Sequence, residues 1–419
     1  MNKTKVGFVL GIIVTLLWCL NYVVRRNFLQ SEQLSSALPT QSMKSFVTNS
    51  SRIPTNWSQK KKRTKQRYIS SQMERNENKL TLGFTEKYLE NLYDNKKRES
   101  GIKKKLIVNY GRIQITTISN FSSCHACECE LTFDRSKWQE SDIVILTDQT
   151  YPHGERRPNQ LWFIFVHESP LHVSIADYLG NKVNYTITFR TDSSVYLPYH
   201  NYKPIDPTHG PDTRYPLPSR NYATGKTKMA AWFVTNCFGK SPRNQYVQEL
   251  SKHLKIDIYG RCGTKSCPRT SETECFKLLE KDYKFYLSFE NSLCPDYITE
   301  KLFRNGYMNN IVPVVMGASV EEYERVSPAH SFIHVDQFES PAKLAEYLKY
   351  LDRNDTAYNE YFAWHGHGVI DDWKPRPMCL LCLFAHVVDQ LQPHSFPNVS
   401  QWWNGACNGR KLRWNPSSR

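Results

Sequence analysis

Several familiar signatures are missing from this chain. No G-x-G-x-x-G follows a strand-like run and no G-x-x-x-x-G-K-[ST] occurs, so neither a dinucleotide fingerprint nor a P-loop is supported. No G-x-S-x-G marks a nucleophile elbow. No Asp-x-Asp pair is present to clamp a divalent cation, and Glu128-Cys129-Glu130, inside a cysteine cluster, is a poor substitute. No internal repeat is found. Acidic residues are in deficit, 40 against 55 Lys and Arg, for a net charge of +15. Such a balance attracts anionic ligands.

The basic excess is concentrated in Lys60-Lys61-Lys62-Arg63, Lys65, Arg67, Lys96-Lys97-Arg98 and Lys103-Lys104-Lys105. These runs suit a nucleic-acid binder or a solvated, flexible segment. What lies upstream favours the second. Val6 to Val24 carries no charge and is long enough to span a bilayer as a helix. Lys3 and Lys5 precede it and Arg25 and Arg26 follow, so the flanking charges do not set orientation. Its place near the N-terminus, with no small-x-small cleavage site after it, predicts an uncleaved signal-anchor with the bulk of the chain lumenal. Asn49, Asn56, Asn120, Asn184, Asn354 and Asn398 each open an N-x-[ST] sequon past that span.

Cysteine is plentiful, 12 residues, which fits an oxidising compartment. Cys124, Cys127 and Cys129 with Cys379 and Cys382 have the spacing of a zinc site. In a secretory lumen the same residues are expected instead as disulfides tying the tail to the first domain, with Cys237, Cys262, Cys267, Cys275 and Cys294 supplying further bridges. No metal site is expected.

A length of 419 residues predicts two folded domains. The expected division is a cytosolic tail (1–5), the anchor (6–24), a polar stem (25–103, with a helix possible over 80–95), an N-terminal domain (104–218), a C-terminal domain (219–372) and a tail (373–419). In the first domain Leu106–Val108, Ile143–Leu146 and Leu161–Val166 read as buried strands, the last running into Glu168-Ser169-Pro170. A carboxylate just past a strand's carboxyl end is placed for a cleft. The Pro- and Gly-rich stretch 204–218 marks the boundary.

The second domain centres on Lys284 to Gly317. Phe285, Leu287 and Phe289 alternate with smaller or polar residues as a strand does. Asp296 is placed to cap a helix over 297–309 whose apolar side holds Ile298, Leu302, Phe303 and Tyr307. Ile311 to Met316 reads as a strand buried on both faces. The order makes one βαβ unit. Asn291, Tyr297, Glu300 and Lys301 sit at its first strand's carboxyl end, where open α/β sheets bind ligands. Arg243 holds the equivalent position in the preceding unit, and two such cations can share one diphosphate. Read without further help, the pattern is equally an ordinary αβ unit with a solvated Glu-Lys pair.

The motifs resolve this. Phe285–Ser292 (FYLSFENS), Asp296–Lys301 (DYITEK), Asn305 and Val312–Val315 (VPVV) resemble the signature of the eukaryotic α1,3-fucosyltransferase family. Ala231–Asn236 with Arg243, Glu168–Pro170, Tyr185–Ser193, Tyr358–Trp364 and Cys379-x-x-Cys382 extend the resemblance over residues 104–407. Gly306 stands where Ala is usual, Asn310 where Gly commonly precedes VPVV, and Phe189 replaces a common Tyr. The resemblance implies an α/β, GT-B-like fold of two facing Rossmann-like domains behind one transmembrane helix and a flexible stem. It implies a single-pass type II Golgi membrane protein that moves fucose from GDP-fucose, with inversion, to the 3-hydroxyl of N-acetylglucosamine in glycans of glycoproteins or glycolipids. It further implies that Glu168 is the catalytic base and that Arg243 and Lys301 hold the diphosphate. Glu300 would take the ribose, Asn291 and Tyr297 complete the donor site, and Arg190 contribute from the facing side. Neither a required cofactor nor a nucleic-acid partner is implied. A non-catalytic lumenal glycan-binding protein on the same fold is the alternative.

Overall fold

The computed structural model describes residues 85–113, 121–206, 208–209, 213–371, 376–407 and 409–414, all within one compact unit, Ser71–Arg419. The expected anchor, most of the expected stem, and Asn49, Asn56 and Asn120 lie outside the described residues. Among those described, no helix is long and apolar enough to cross a membrane.

The first helix, α1 (Glu86–Ser100), corrects the expected stem. Thr85 caps it by accepting from the Tyr88 N–H. Leu89 and Tyr93, one turn apart, are fully buried against the first sheet's core, so this part of the segment belongs to the folded body. The charged residues around them face solvent, which makes the segment read as a spacer.

The first sheet contains β1 (Lys105–Asn109), β2 (Cys129–Thr132), β3 (Ile143–Leu146), β4 (Leu161–Val166), β5 (Tyr185–Thr188) and β6 (Val195–Tyr196). Their order is β2-β1-β3-β4-β5-β6 and every pairing is parallel. All four residues of β3 are buried, as the unbroken apolar runs of parallel strands require. β7 (Asn201–Pro204) leaves this sheet and pairs antiparallel with a later strand, β13 (Gly368–Asp371).

The second sheet contains β8 (Lys228–Phe233), β9 (Ile256–Tyr259), β10 (Tyr283–Phe289), β11 (Val312–Met316) and β12 (Ile333–His334). Its order is β12-β11-β10-β8-β9, again all parallel. Every residue of β10 and β11 is buried. Its connections include α2 (Arg243–Leu250) after β8, α3 (Glu272–Asp282) after β9, α4 (Glu300–Phe303) after β10 and α5 (Val320–Val326) after β11. The helix entered through Ser340-Pro341 is α6 (Pro341–Asp352), with Ser340 accepting from the Lys343 N–H. It is followed by α7 (Asp355–Asn359).

The helix expected over 297–309 is one turn. Thr299, not Asp296, caps α4, and the chain then tightens into a 3₁₀ turn at Tyr307–Asn309. Asp296 has a positive φ of 58° and its carboxylate serves Thr191 and Arg325 instead. The apolar spacing belongs to packing, not to a continuous helix. Gly306 lets the chain close tightly here: a Cβ would meet the Leu302 carbonyl oxygen at 2.4 Å, so the Ala usual in the family would need this turn to shift. Asn310 adopts the left-handed conformation at the exit, φ 47° and ψ 46°.

The tail packs back on both sheets. α8 (Arg376–Val387) is bonded to the first sheet's edge by Cys124–Cys379 and Cys129–Cys382. α9 (Val399–Asn404) leads to Cys407, which is bonded to Cys294 of the second sheet's loop. Cys237–Cys262 and Cys267–Cys275 complete the set. A disulfide carries no thiolate, so the alternative four-cysteine zinc arrangement does not form. Cys127, grouped with the disulfide candidates above, is a free, exposed thiol.

Candidate active site

In the second sheet, β8 lies between β9 and β10, so its flanking connections leave in opposite directions. The crevice opened between the carboxyl ends of β8 and β10 is where such sheets take ligands. Arg243 crosses it. The side chain is 3% exposed, donates from Nη1 to the Phe289 carbonyl at 3.1 Å and from Nη2 to the Asn236 carbonyl at 2.6 Å, and lies over the Trp232 ring. Its Nε–H has no partner among the described residues. Ser241 adds two ties between the same loops, its N–H to the Asn291 carbonyl and its hydroxyl to the Glu290 carbonyl. Arg243 thus joins the two loops and keeps donors in reserve.

Glu290, the first residue after β10, was not singled out from sequence. It is fully buried, and its carboxylate accepts from the Thr299 N–H at 2.8 Å and from the Thr299 hydroxyl, and pairs with Lys301 Nζ at 3.0 Å. Gly317 admits it: a Cβ at 317 would stand 2.8 Å from Glu290 Cγ. Lys301 Nζ also donates to Thr299 Oγ1 at 2.8 Å and to Glu300 Oε1 at 3.2 Å. Burial raises the Glu290 carboxyl above the usual range against the pull of Lys301. Burial also pushes Glu300 upward, but the Lys301 charge overrides it and holds that carboxyl below its usual value. Burial opposes the Lys301 charge, yet the two carboxylates prevail and keep the ammonium protonated.

Glu168 faces this loop from the first sheet, two residues past β4. Its Oε1 accepts from the Tyr297 hydroxyl at 2.5 Å, the Ser169 N–H at 2.8 Å and Asn291 Nδ2 at 3.3 Å. Ser169 and Ser292 share a 2.6 Å hydroxyl bond beside it. All three bonds to the Glu168 carboxylate fall on Oε1. Burial, then Tyr199, Glu290 and Glu168, push the Tyr297 phenol far above its usual range, so it stays a donor. Tyr199, also missed from sequence, buttresses Tyr297 edge-on and stacks on His167 at 4.1 Å. The structure therefore gathers Glu168, Asn291, Tyr297, Glu300 and Lys301 around one loop, with Arg243 behind it.

Arg190 bonds residues outside that set, although its neighbours Phe189 and Thr191 touch Tyr297 and Asp296 of the same loop. Its Nε and Nη2 bond Asp192, its Nη1 donates to the Trp402 carbonyl, and the guanidinium lies 4.3 Å from the Trp402 ring centroid. These contacts fasten the tail helix α9. The described sequons also differ from one another. Asn398 is exposed and Asn354 half-buried. Asn184 is 6% exposed, its Oδ1 accepting from the Trp162 N–H and its Nδ2 donating to the His394 carbonyl. A glycan on Nδ2 would have to replace that bond inside the fold. Peptide mapping of the protein expressed in eukaryotic cells is expected to find Asn184 unmodified; stoichiometric glycan there would contradict the packing.

Residues 223–402 match the family described as glycosyltransferase family 10 (fucosyltransferase), C-terminal, and residues 102–200 match the fucosyltransferase N-terminal family. The chain is 39% identical over 298 residues to glycoprotein 3-alpha-L-fucosyltransferase A of Drosophila melanogaster, covering 70% of this chain and 58% of that one. It is 36% identical to alpha-(1,3)-fucosyltransferase fut-1 of Caenorhabditis elegans, covering 69% of this chain and 67% of that one. It is 37% identical to human 4-galactosyl-N-acetylglucosaminide 3-alpha-L-fucosyltransferase FUT6, covering 64% of this chain and 72% of that one. The solved structure of TarM is similar at a TM-score of 0.32 and 11% identity, over 53% of this chain and 50% of that chain, too slight a likeness to bear on fold or function. With two family descriptions covering both sheets and relatives above a third identical, the chain belongs to the glycosyltransferase family 10 fucosyltransferases.

Proposed function

We propose that this chain is an inverting α1,3-fucosyltransferase. It transfers L-fucose from GDP-fucose to the 3-hydroxyl of N-acetylglucosamine in protein-linked glycans, at the core or on an outer N-acetyllactosamine or LacdiNAc unit. One observation carries the proposal: the Glu168 carboxylate of the first sheet shares a hydrogen-bonded network with Tyr297 and Asn291, in the loop that also presents Glu300 and Lys301. Base and donor grip then belong to one constellation.

The chemistry needs little more. Inverting the anomeric carbon takes one in-line displacement. Glu168 accepts the proton of the attacking hydroxyl through Oε2 while three donors hold Oε1. Arg243 and Lys301 stabilise the charge that develops on the departing diphosphate, a contribution on the order of 3 kcal/mol for each lost donor by analogy with oxyanion holes. Glu300 receives the ribose hydroxyls. Residues 104–218 form the acceptor side and 219–372 the donor side of a GT-B-like cleft, an arrangement supported by two parallel sheets whose carboxyl ends meet at Glu168 and Asn291. The apolar run at 6–24 anchors the protein as a single-pass type II membrane protein of the Golgi, and five disulfides support a lumenal body.

The test is incubation of the full chain with GDP-fucose and defined glycans, followed by mass spectrometry. At least one N-acetylglucosamine-bearing acceptor is expected to gain one fucose. Binding of GDP without transfer to any of them would overturn the proposal.

A further inference from the structure

An ammonium has three N–H donors. Those of Lys301 are matched by three protein acceptors: Thr299 Oγ1 at 2.8 Å, Glu290 Oε2 at 3.0 Å and Glu300 Oε1 at 3.2 Å. A phosphate oxygen can therefore be gripped by Lys301 only if one acceptor withdraws. Glu290 is fully buried and held by both the N–H and the hydroxyl of Thr299. Thr299 is 1% exposed and caps α4. The Glu300 side chain is 44% exposed. Glu300 is the partner that can leave.

Resting on the donor-site assignment proposed above, we infer that Glu300 couples nucleoside recognition to the phosphate grip. The vicinal hydroxyls of the donor's ribose draw the Glu300 carboxylate off Lys301, and the N–H it vacates turns to the diphosphate. Before that exchange, one lysine faces two glutamates, so its charge is already matched within the protein. Inorganic pyrophosphate has no diol to offer Glu300, so it meets a lysine already in use. A nucleotide with the diol gains both contacts together. Glu300 then determines specificity twice, once through its own bonds and once by releasing Lys301. An uncoupled pair, by contrast, would leave phosphate affinity indifferent to the Glu300 charge.

Calorimetric titration of the full chain and its Glu300→Gln variant with GDP, the 2′,3′-dideoxy analogue of GDP, and inorganic pyrophosphate tests this. Pyrophosphate is expected to bind the variant about tenfold more tightly than the unsubstituted protein, the scale of one charge-assisted bond. GDP is expected to bind the variant more weakly. The preference for GDP over its dideoxy analogue, about a hundredfold in the unsubstituted protein, should fall below about tenfold. Glu300→Ala should give the same order, and because the side chain is half-exposed both variants should keep the parent's thermal midpoint. Pyrophosphate affinity unchanged or reduced in both variants, with GDP binding weakened, would overturn the coupling and leave the donor site standing. Failure of the unsubstituted protein to bind either GDP or pyrophosphate would overturn the donor-site assignment and the coupling with it.

Discussion

Glu168→Gln is expected to lower kcat about a thousandfold while GDP affinity stays within about threefold of the parent. The amide keeps the length and shape of the carboxylate and can still accept from the Ser169 N–H and the Tyr297 hydroxyl. What it cannot do is take a proton. A thousandfold loss corresponds to about 4 kcal/mol of transition-state stabilisation. Because the donor-side residues stand on the other sheet, their grip on GDP should survive. Steady-state kinetics with a fucosylation assay, paired with GDP titration, measures both quantities. Parent-like turnover would remove Glu168 from the chemistry, and a parallel collapse of GDP binding would make it a structural carboxylate joining the two sheets.

Lys301→Ala is expected to cost about 3–5 kcal/mol of stability, because it leaves Glu290 charged, buried and without its cation. The loss has a defined pH dependence. Burial already raises the Glu290 carboxyl above its unfolded value, and losing Lys301 raises it further. A carboxyl raised in the folded state favours folding at low pH, and that contribution is lost as pH rises through the folded value. The deficit relative to the parent should therefore be largest near pH 8 and shrink toward pH 5. Urea midpoints at the two pH values measure this. Combining Lys301→Met with Glu290→Gln removes both charges and should recover most of the stability without recovering GDP affinity. A deficit independent of pH would contradict the buried-charge account.

Parts of this fold are plain in the sequence because they are local. β3, β4 and β11 are buried on both faces, so their apolar runs are unbroken, and β10 shows its strand through the alternation of Phe285, Leu287 and Phe289. Arg243, Glu300 and Lys301 sit at strand-to-helix turns, whose position in a βαβ unit follows from order alone. Ser340-Pro341 announces α6 by cap chemistry. Other parts depend on partners far along the chain. Glu290 reads as an unremarked polar residue at a strand's end; only Thr299 and Lys301 folding back over it, with Gly317 leaving room, make it the hub of the site. Arg190 matches a family motif yet is claimed by Asp192 and Trp402 of the tail. Leu89 and Tyr93 are two apolar contacts in a charged segment, too few to mark α1 as core until α8 is packed against it. Cys294 finds Cys407 across 113 residues, while Cys127, two residues from a bonded cysteine, finds no disulfide partner among the described residues. The over-long helix after Asp296 has the same origin: the spacing of Ile298, Leu302, Phe303 and Tyr307 satisfies a helical period, but a single α-turn and a 3₁₀ turn bury them equally well.

The most direct measurement is the structure of the product. The full chain is incubated with GDP-β-L-fucose and an N-glycan carrying core and outer N-acetylglucosamine, and the new linkage is read by NMR. The account predicts an α-linked fucose on the 3-hydroxyl of an N-acetylglucosamine, formed in step with release of GDP. A β-linked product, a fucose on another hydroxyl, or release of GDP with no glycan modified would contradict it.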